Sequence, residues 1–445
     1  MDKIQEPARS IPVISEVDVC VLGGSCTGVF AAVRAARRGL RVAVVEKTNR
    51  FGGVATNGLV CIWHNDLDDR YEEQIIAGLS LETVVRLQRR NAVLVRERSP
   101  DSRYVLNTEE LTIELDGLIR EHGIEPWLHT FYCRAVVGED HRIDAVLVEN
   151  KDGRGSIKAR AFIDATGDGD LAKDCGYPFS VRPDLQPPTT CAKIAGLEGI
   201  DMRSFYNEHR DEFDVPKDAG WNCTIPRGGL VRLFAETHVF GANVADARQW
   251  TAAEMEGRRH IRAMMDMVRK HLPEREKDLC LLDLCSSIGT RETRRFRADY
   301  QLTEKDVLYG RRFDDAIANG TYRVDIHYHE GGGHIFRYLD GREVSIRHDE
   351  RVWSRWRPKE EEPALFYQIP YRTMVRPECP NLIMAGRMID ADPGAYGAIR
   401  VMITMNQTGE AAGEAAAFVC NGEPAAKVDP RRLREALRDG GSIVL

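Results

Sequence analysis

No stretch of this 445-residue chain has the length of uncharged apolar residues that a membrane span needs, and the N-terminal MDKIQEPARS carries charges of both signs without an apolar signal core. The expectation is a cytoplasmic protein with no membrane partner. A positive excess is missing as well. The net charge is −7, and basic runs such as Arg34 to Arg41 and Arg291 to Arg297 are broken by apolar or acidic residues. That balance argues against a nucleic-acid partner held through phosphate neutralisation. Paired cysteines are also lacking: eleven are scattered along the chain, and the nearest pair, Cys280 and Cys285, does not have C-x-x-C spacing. The odd count argues against a disulfide framework, and no metal site is predicted. There is no internal repeat.

What is present is an ordinary globular composition, 43% hydrophobic, long enough for two or three domains. Its most informative stretch is Val17 to Gly28, VDVCVLGGSCTG, followed by a second apolar run, RVAVVE, ending in Glu46. This reads as a buried strand, a Gly-rich turn, a helix and a second strand. Gly23 turns the chain sharply out of the strand, Gly24 lets backbone N–H groups approach a pyrophosphate, and Gly28 lets the helix pack closely on the sheet. The helix start then faces the phosphates with its positive end. Glu46 is placed to accept both ribose hydroxyls and to repel a 2′-phosphate, which excludes NADP here and leaves NAD and FAD open. Ser25 stands where the G-x-G-x-x-G pattern has its second glycine.

After Glu46 a Gly-rich stretch, KTNRFGG and VATNGLV, predicts an ordered loop passing close to a ligand. Residues 72–98 and 107–123 have helical apolar spacing, the second capped by Asn107 or Thr108 and stopped at Gly123. From Ile124 short alternating runs predict a small antiparallel sheet that feeds a buried strand, Ala161 to Ala165. Prolines at 178, 183, 187 and 188 mark the exit into another region, which is mixed and includes a helix over 251–271. The chain then returns to α/β character. NLIMAGR reads as a strand and turn, and GAIRVMITMNQTGEAAGEAAAFVC as one long small-residue helix packed tightly on a sheet.

Three separated turns now point to one ligand: Gly23 to Gly28 with Glu46, ATGDGD at Ala165 to Asp170, and AGR at Ala385 to Arg387. NAD needs only the first, whereas an extended FAD needs backbone contacts at several crossover loops. Here the chain resembles the bacterial FAD-dependent oxidoreductase family of the glutathione-reductase-like superfamily, related to the flavin domain of heterodisulfide reductase and in some instances called xanthan lyase. The resemblance is carried by DVCVLGGSCTGVFAA, EKTNRFGGVATNG, FIDATGDGDLAKDCG, TAAEMEGRRH, SSIGTRETRRF, DDAIANGTYRVDIH, IPYRTMVRPECPNLIMAGRMI and GAIRVMITMNQTGEAAG, which span nearly the whole chain.

That resemblance implies FAD. It assigns Gly23, Gly24, Ser25, Cys26, Thr27 and Gly28 to the pyrophosphate, Glu46 and Lys47 to the adenosine end, and Gly52, Gly53, Ala55, Thr56 and Asn57 to the ribityl chain and ring. Tyr132 falls where such proteins give backbone contacts to adenine. Thr166, Gly167 and Asp168 match the second glycine turn, Gly386 and Arg387 the third motif, and Gly397, Ala398, Ile399 and Arg400 the start of the last helix. A helix start there sets positive dipole charge against the negative charge of the reduced ring. For Arg400 the plainer reading is a helix-end salt bridge.

For the proton that accompanies hydride transfer, histidine is the natural base. The candidates are His64, just past the Gly-rich loop, and His327 and His329, on one face of a strand in DIHYHEGGGHIF with His334, Asp325 and Glu330 nearby. Packing is the plainer reading for at least one of them. Arg227, Arg291 and Arg294 are candidates for holding an anionic substrate, against an internal ion-pair network around Glu292. Trp353 and Trp356 are stacking or packing residues and lack the W-x-W-x-I-P arrangement of flavin halogenases. Cys26 and Cys61 have no partner cysteine in sequence, so a disulfide-reductase mechanism is disfavoured and small buried thiols are expected.

The fold expected is therefore α/β. Residues 1–180 and 365–445 form a discontinuous Rossmann-like FAD-binding domain, a parallel sheet with helices plus a small antiparallel sheet, and residues 181–364 form an inserted α+β substrate or cap domain. The activity expected is dehydrogenation of a small polar, hydroxylated or carbohydrate-like substrate. The alternatives are a flavin monooxygenase and a flavoprotein that transfers electrons with a partner protein. No second dinucleotide unit follows, so the electron acceptor expected is oxygen, a quinone or an electron-transfer protein, and a homo-oligomer is compatible with all of this.

Overall fold

In the computed structural model, which describes residues 3–99, 101–216, 220–235, 237–328, 332–347 and 350–445, the runs VCVL and VAVV form the strands Val19–Leu22 and Val42–Val45. Every residue of both is buried, as continuous apolar runs of a parallel sheet covered on two faces should be. The sheet has five parallel strands in the order Leu382–Met384, Ala161–Asp164, Val19–Leu22, Val42–Val45, Glu125–Trp127. Chain segments more than 360 residues apart thus share one sheet, so the last strand completes what the first began.

The helix Cys26–Arg37 packs on this sheet and against the long helix Met402–Cys420. The closeness of the two helices explains the small residues: a Cβ on Gly409 would lie 2.0 Å from the Thr27 carbonyl oxygen, and one on Gly413 2.2 Å from that of Ala31. A buried ion pair joins them, Arg34 Nε donating to Glu410 Oε2 at 2.8 Å. The second helix of the early region is shorter than its periodicity implied, Gly78–Arg89 rather than 72–98. Asn91 adopts φ +54 just after it, and Val93–Val95 is a strand. Asn107 caps the helix Thr108–Glu121 as expected, accepting from the N–H groups of Glu109 and Glu110.

Beside the parallel sheet lies a small sheet of Phe131–Val137, Ile143–Asn150 and Gly153–Lys158, antiparallel to one another, with Val13–Glu16 added in parallel at the edge. The segment from Ile124 to Trp127 belongs instead to the edge of the parallel sheet, where Glu125–Trp127 pairs with Ala43–Val45. Another region is built on the sheet Trp221–Thr224, Arg232–Ala235, Ala192–Ala195 and Cys280–Leu284, covered by the helices Met202–His209 and Ala247–His271 around its own core of Tyr206, Phe234, Ile261 and Met264. A four-stranded meander, Val324–His327, His334–Arg337, Arg342–Arg347 and Glu350–Arg355, stands next to it. Between these two, Phe296, Leu302, Val307 and Ala316–Ala318 pack into the main core.

Candidate active site

One cavity of about 690 Å³ runs among these parts, within the size range of small-molecule and cofactor sites. Its first end is at the sheet. Gly23, at φ +96, brings the chain so close to the neighbouring crossover that a Cβ would lie 2.4 Å from the Ala165 carbonyl oxygen. Ser25, Cys26 and Thr27 follow on the wall at the helix start, where Ser25 Oγ caps the Gly28 N–H at 3.3 Å. Gly24 and Gly28 stand behind the wall. The Gly24 N–H donates to Glu46 Oε2 at 2.8 Å, and a Cβ on Gly28 would meet the Gly23 carbonyl oxygen at 1.9 Å. Glu46 lines the cavity and also accepts from the backbone and hydroxyl of Thr48. Lys47 lies 4.3 Å from the ring centroid of Trp250, a residue of the Ala247–His271 helix that helical periodicity alone does not single out.

The second crossover is a linked set. Thr166 Oγ1 donates to Asp164 Oδ1 at 2.8 Å, and Asp168 accepts from Thr293 Oγ1 at 2.7 Å and from Arg387 Nη2 at 2.6 Å. Thr166, Gly167, Asp168, Gly386 and Arg387 all line the cavity. So do Gly52, Gly53 and Asn57, whose side chain bridges Thr48 and Ser286. Ala55 and Thr56 are fully buried behind them, with Thr56 Oγ1 donating to the Phe51 carbonyl at 2.6 Å.

Several expected positions are corrected. The last segment is two helices, Pro393–Ile399 and Met402–Cys420, with Arg400 and Val401 at the break. The first starts at Pro393, capped by Asp392, so Gly397, Ala398 and Ile399 lie inside it and do not line the cavity; Gly397 packs against the Asp325 backbone. The helix start that meets the cavity is that of Met402, which has no side-chain cap, and Val401 and Met402 are on the wall. Tyr132 lies off the cavity, its hydroxyl donating to Asp174 Oδ2 at 2.7 Å. Arg227 is exposed at φ +60 in a turn and is also off it. Arg294 is consumed internally by the Asp168 carbonyl, Asp170 and the Ala245 carbonyl. Glu292 is likewise internal, accepting from the Gln186 N–H and facing Arg295, whereas Arg291 lines the cavity and donates to the Pro187 carbonyl.

The other end of the cavity holds the polar cluster. Asp325 Oδ2 accepts from Tyr322 Oη at 2.8 Å and pairs with Arg400 Nη2 at 3.0 Å, while Oδ1 lies 3.7 Å from His327 Nε2. Burial alone would raise this carboxyl, but Arg400, then His327, Arg323 and His334, hold it well below the usual carboxylate range. Tyr322 moves the other way, raised by burial and by Asp325, so it stays a donor. His64, on the same wall, touches the Tyr322 ring at 4.3 Å. Burial, followed by Arg323 and Arg400, pushes its pKa down to about 3, which keeps it neutral and makes it a poor proton acceptor. The rings of His238 and His334 flank His327 at 4.9 and 5.0 Å. His329 and Glu330 lie outside the described residues. Trp353 is on the wall; Trp356 is packed elsewhere, donating to the Tyr338 carbonyl.

Cys26 and Cys61 are buried free thiols, as expected, but one of them meets another thiol in the fold. Cys61 does have a partner, Cys223, with the two sulfurs 3.4 Å apart across 162 residues of sequence, and Cys191 and Cys285 share their core. Fold proximity, invisible to spacing, made that pair. Away from the cavity, His209, Glu212 and His271 form the three-residue group of ligand-type side chains among the described residues, with Glu212 engaged by Lys270.

A glycine cradle at one end, the uncapped start of the Met402–Cys420 helix part-way along and three crossover turns on one wall suit an extended dinucleotide. The family model for FAD dependent oxidoreductases matches residues 18–437. The chain belongs to that family. FAD is its cofactor, and it is an enzyme. No curated protein matches at a significant level. Among solved structures the chain is similar to a geranylgeranyl bacteriochlorophyll reductase-like protein from Thermoplasma acidophilum, with 11% identity over 95% of this chain and 83% of that one and a TM-score of 0.47. It is also similar to the flavin-dependent brominase Bmp2, at 12% identity over 96% and 83% with a TM-score of 0.46. A third is CabE, an aromatic hydroxylase from angucycline biosynthesis, at 13% over 96% and 69% with a TM-score of 0.42. No described helix is long and apolar enough to cross a membrane.

Proposed function

We propose that this FAD-dependent oxidoreductase dehydrogenates a small polar organic substrate. The observation that carries the reading is the cluster of Tyr322, Asp325 and His327 with His64, on the wall of the same cavity that begins at Gly23 and Glu46. Dehydrogenation removes a hydride and a proton. When bound, FAD would supply the two-electron acceptor for that hydride. His327 accepts the hydroxyl or amine proton, and the Asp325 carboxylate 3.7 Å from its Nε2 stabilises the imidazolium that results. Tyr322 and Arg400 hold that carboxylate in place and ionised. His64 remains neutral and serves as a hydrogen-bonding group for substrate. The region built on residues 181–364 closes the cavity over the reacting carbon and keeps out water. Oxygen, a quinone or an electron-transfer protein takes the electrons afterwards.

The test is an anaerobic screen of sugars, polyols, hydroxy acids and amines, following loss of the oxidised-flavin absorbance near ~450 nm. The substrate found should bleach the wild type without NAD(P)H. His327→Ala should slow bleaching by roughly 10²- to 10⁴-fold, the usual contribution of a positioned base, and His64→Ala by less. If both variants bleach at the wild-type rate, the histidine-base assignment is wrong. Bleaching only by NAD(P)H, with oxygen placed in the product, would make the enzyme a monooxygenase. Reduction only by a partner protein would make it an electron-transfer flavoprotein.

A further inference from the structure

The cavity wall carries eight lysine and arginine side chains against four carboxylates. At the Gly23 end Lys47 and Arg387 are matched by Glu46 and Asp168, so the surplus lies on the rest of the wall. There the two innermost guanidiniums differ. Arg400 has a buried counter-ion, Asp325, in a pair whose side chains are 11% and 9% exposed. Arg323 is as deeply placed, at 10%, but its hydrogen-bonded carboxylate is Asp101, which is 58% exposed at the mouth. An ion pair with one partner in water contributes little, and the buried carboxylate that also acts on Arg323, Asp325, is hydrogen-bonded to Arg400, so the two guanidiniums share one buried counter-charge. Its Nε is buried and has no hydrogen-bond partner. Its guanidinium carbon lies over the Phe336 ring, 3.9 Å from the centroid, in a cation–π contact. Burial pushes its pKa down, with Asp325 acting against the shift.

We propose that Arg323 is the carboxylate-binding residue of the substrate site, and that the substrate is a hydroxylated carboxylic acid rather than a neutral sugar or polyol. The guanidinium fork matches a carboxylate through two parallel N–H donors, which a single neutral hydroxyl cannot engage together. The rings of Phe336 and Tyr338 lie 3.9 and 5.6 Å from the guanidinium carbon. Tyr322 and His64, the next residues along the wall, set the carboxylate end beside the group that holds the proton acceptor, so the carbon to be oxidised is adjacent to the anchored carboxylate. The proposal deepens the dehydrogenase reading, on which it rests for the fate of that carbon only. Binding of the carboxylate itself is measured without turnover.

The holoenzyme is titrated with matched probes, lactate against 1,2-propanediol and gluconate against glucose, and with propionate as a carboxylate that carries no hydroxyl. Binding is read from the shift of the flavin visible spectrum and from the melting temperature, and turnover separately from anaerobic bleaching. Carboxylates should bind at least 10-fold more tightly than their neutral partners, and Arg323→Met should remove roughly 10- to 100-fold of that preference, the range for hydrogen bonds to a charged group. Arg323→Lys should recover part of it. Equal binding of the neutral partners to the wild type overturns the proposal even if no variant folds. Carboxylate binding unchanged in a folded Arg323→Met protein overturns it as well, as does a strong preference for inorganic phosphate over every carboxylate. Carboxylates that bind through Arg323 without ever bleaching the flavin leave the subsite standing and refute the dehydrogenase reading instead.

Discussion

Glu414 ties the folding stability of this enzyme to pH, and the size of the link follows from its surroundings. Its side chain is 3% exposed on the Met402–Cys420 helix, facing Arg34 Nη1 and Arg38 Nε, both at 3.7 Å. Those distances are longer than hydrogen bonds, and the Arg34 guanidinium is already committed to Glu410 and Ser442. Burial therefore prevails over the two arginines, with Glu410 adding repulsion, and the pKa rises from 4.5 to about 7. A carboxyl whose pKa is higher folded than unfolded contributes stability that is complete below the unfolded value and is lost as pH rises through the folded one. Between pH 8.5 and pH 5 these two values correspond to about 2.5 kcal/mol. In Glu414→Gln the neutral form is permanent. The variant's advantage over the wild type should grow from about 1 kcal/mol near pH 5 to about 3.4 kcal/mol near pH 8.5, a change of about 2.5 kcal/mol, in urea unfolding followed by tryptophan fluorescence across that range. Asp69 and Asp164, both raised to about 6 by burial, act in the same direction in the wild type but cancel in the difference. A wild-type-minus-variant difference that does not change with pH, or that favours the wild type at pH 8.5, refutes the assignment of a buried, poorly paired carboxyl.

Gly28→Ala forces a Cβ to within 1.9 Å of the Gly23 carbonyl oxygen, so the helix start must shift by more than a side chain can absorb. The protein should lose about 1–3 kcal/mol of stability and retain less flavin, read as the ratio of absorbance at the flavin band to that of protein. Asp325→Asn leaves Arg400 buried without its counter-ion and should cost about 3–5 kcal/mol in thermal or urea unfolding, whereas the doubly neutral Asp325→Asn, Arg400→Met should recover much of it. Thiol titration of the native enzyme should label Cys133 and Cys280 first, because the other cysteines are buried or half-buried; prompt labelling of Cys61 would contradict the packing of its core.

The parts of the site that the amino-acid order reveals are those where local geometry and function share the same residues. Gly23, Glu46 and the ATGDGD turn are legible because a strand, a turn with positive φ and a helix start must occur in that order for a phosphate to be held. Asn107 is legible because capping is a contact over two or three residues. What escaped is set by contacts between distant segments. Nothing in GAIRVMITMNQ announces a break at Arg400, because no proline or left-handed glycine follows the cap; the helix ends there so that the guanidinium reaches Asp325. Arg227 and Arg294 share a residue type with Arg291, yet only the fold sends one to solvent, one to Asp168 and one to the cavity. The Cys61 and Cys223 contact spans 162 residues and has no spacing rule to betray it.

The same separation explains how the two ends of the cavity divide their work. The Gly23 end is built from backbone on the parallel sheet, braced by the Arg34, Glu410 and Glu414 group between its two helices, so its shape tolerates little change. The Arg323 and His327 end is built from side chains on the Val324–His327, His334–Arg337 meander and the turn before it, which contribute charge and proton-handling groups but little of the main core. Substitutions at the first end should therefore change flavin content and stability together, while those at the second should change ligand preference with flavin retained. Arg323→Met is the sharpest instance, because its neighbours Phe336 and Tyr338 can pack on the methionine as they pack on the guanidinium stem. A protein that keeps its flavin, melts within a few degrees of the wild type and no longer distinguishes lactate from 1,2-propanediol would locate specificity at that end. Loss of flavin in the same variant would mean that the two ends are one unit.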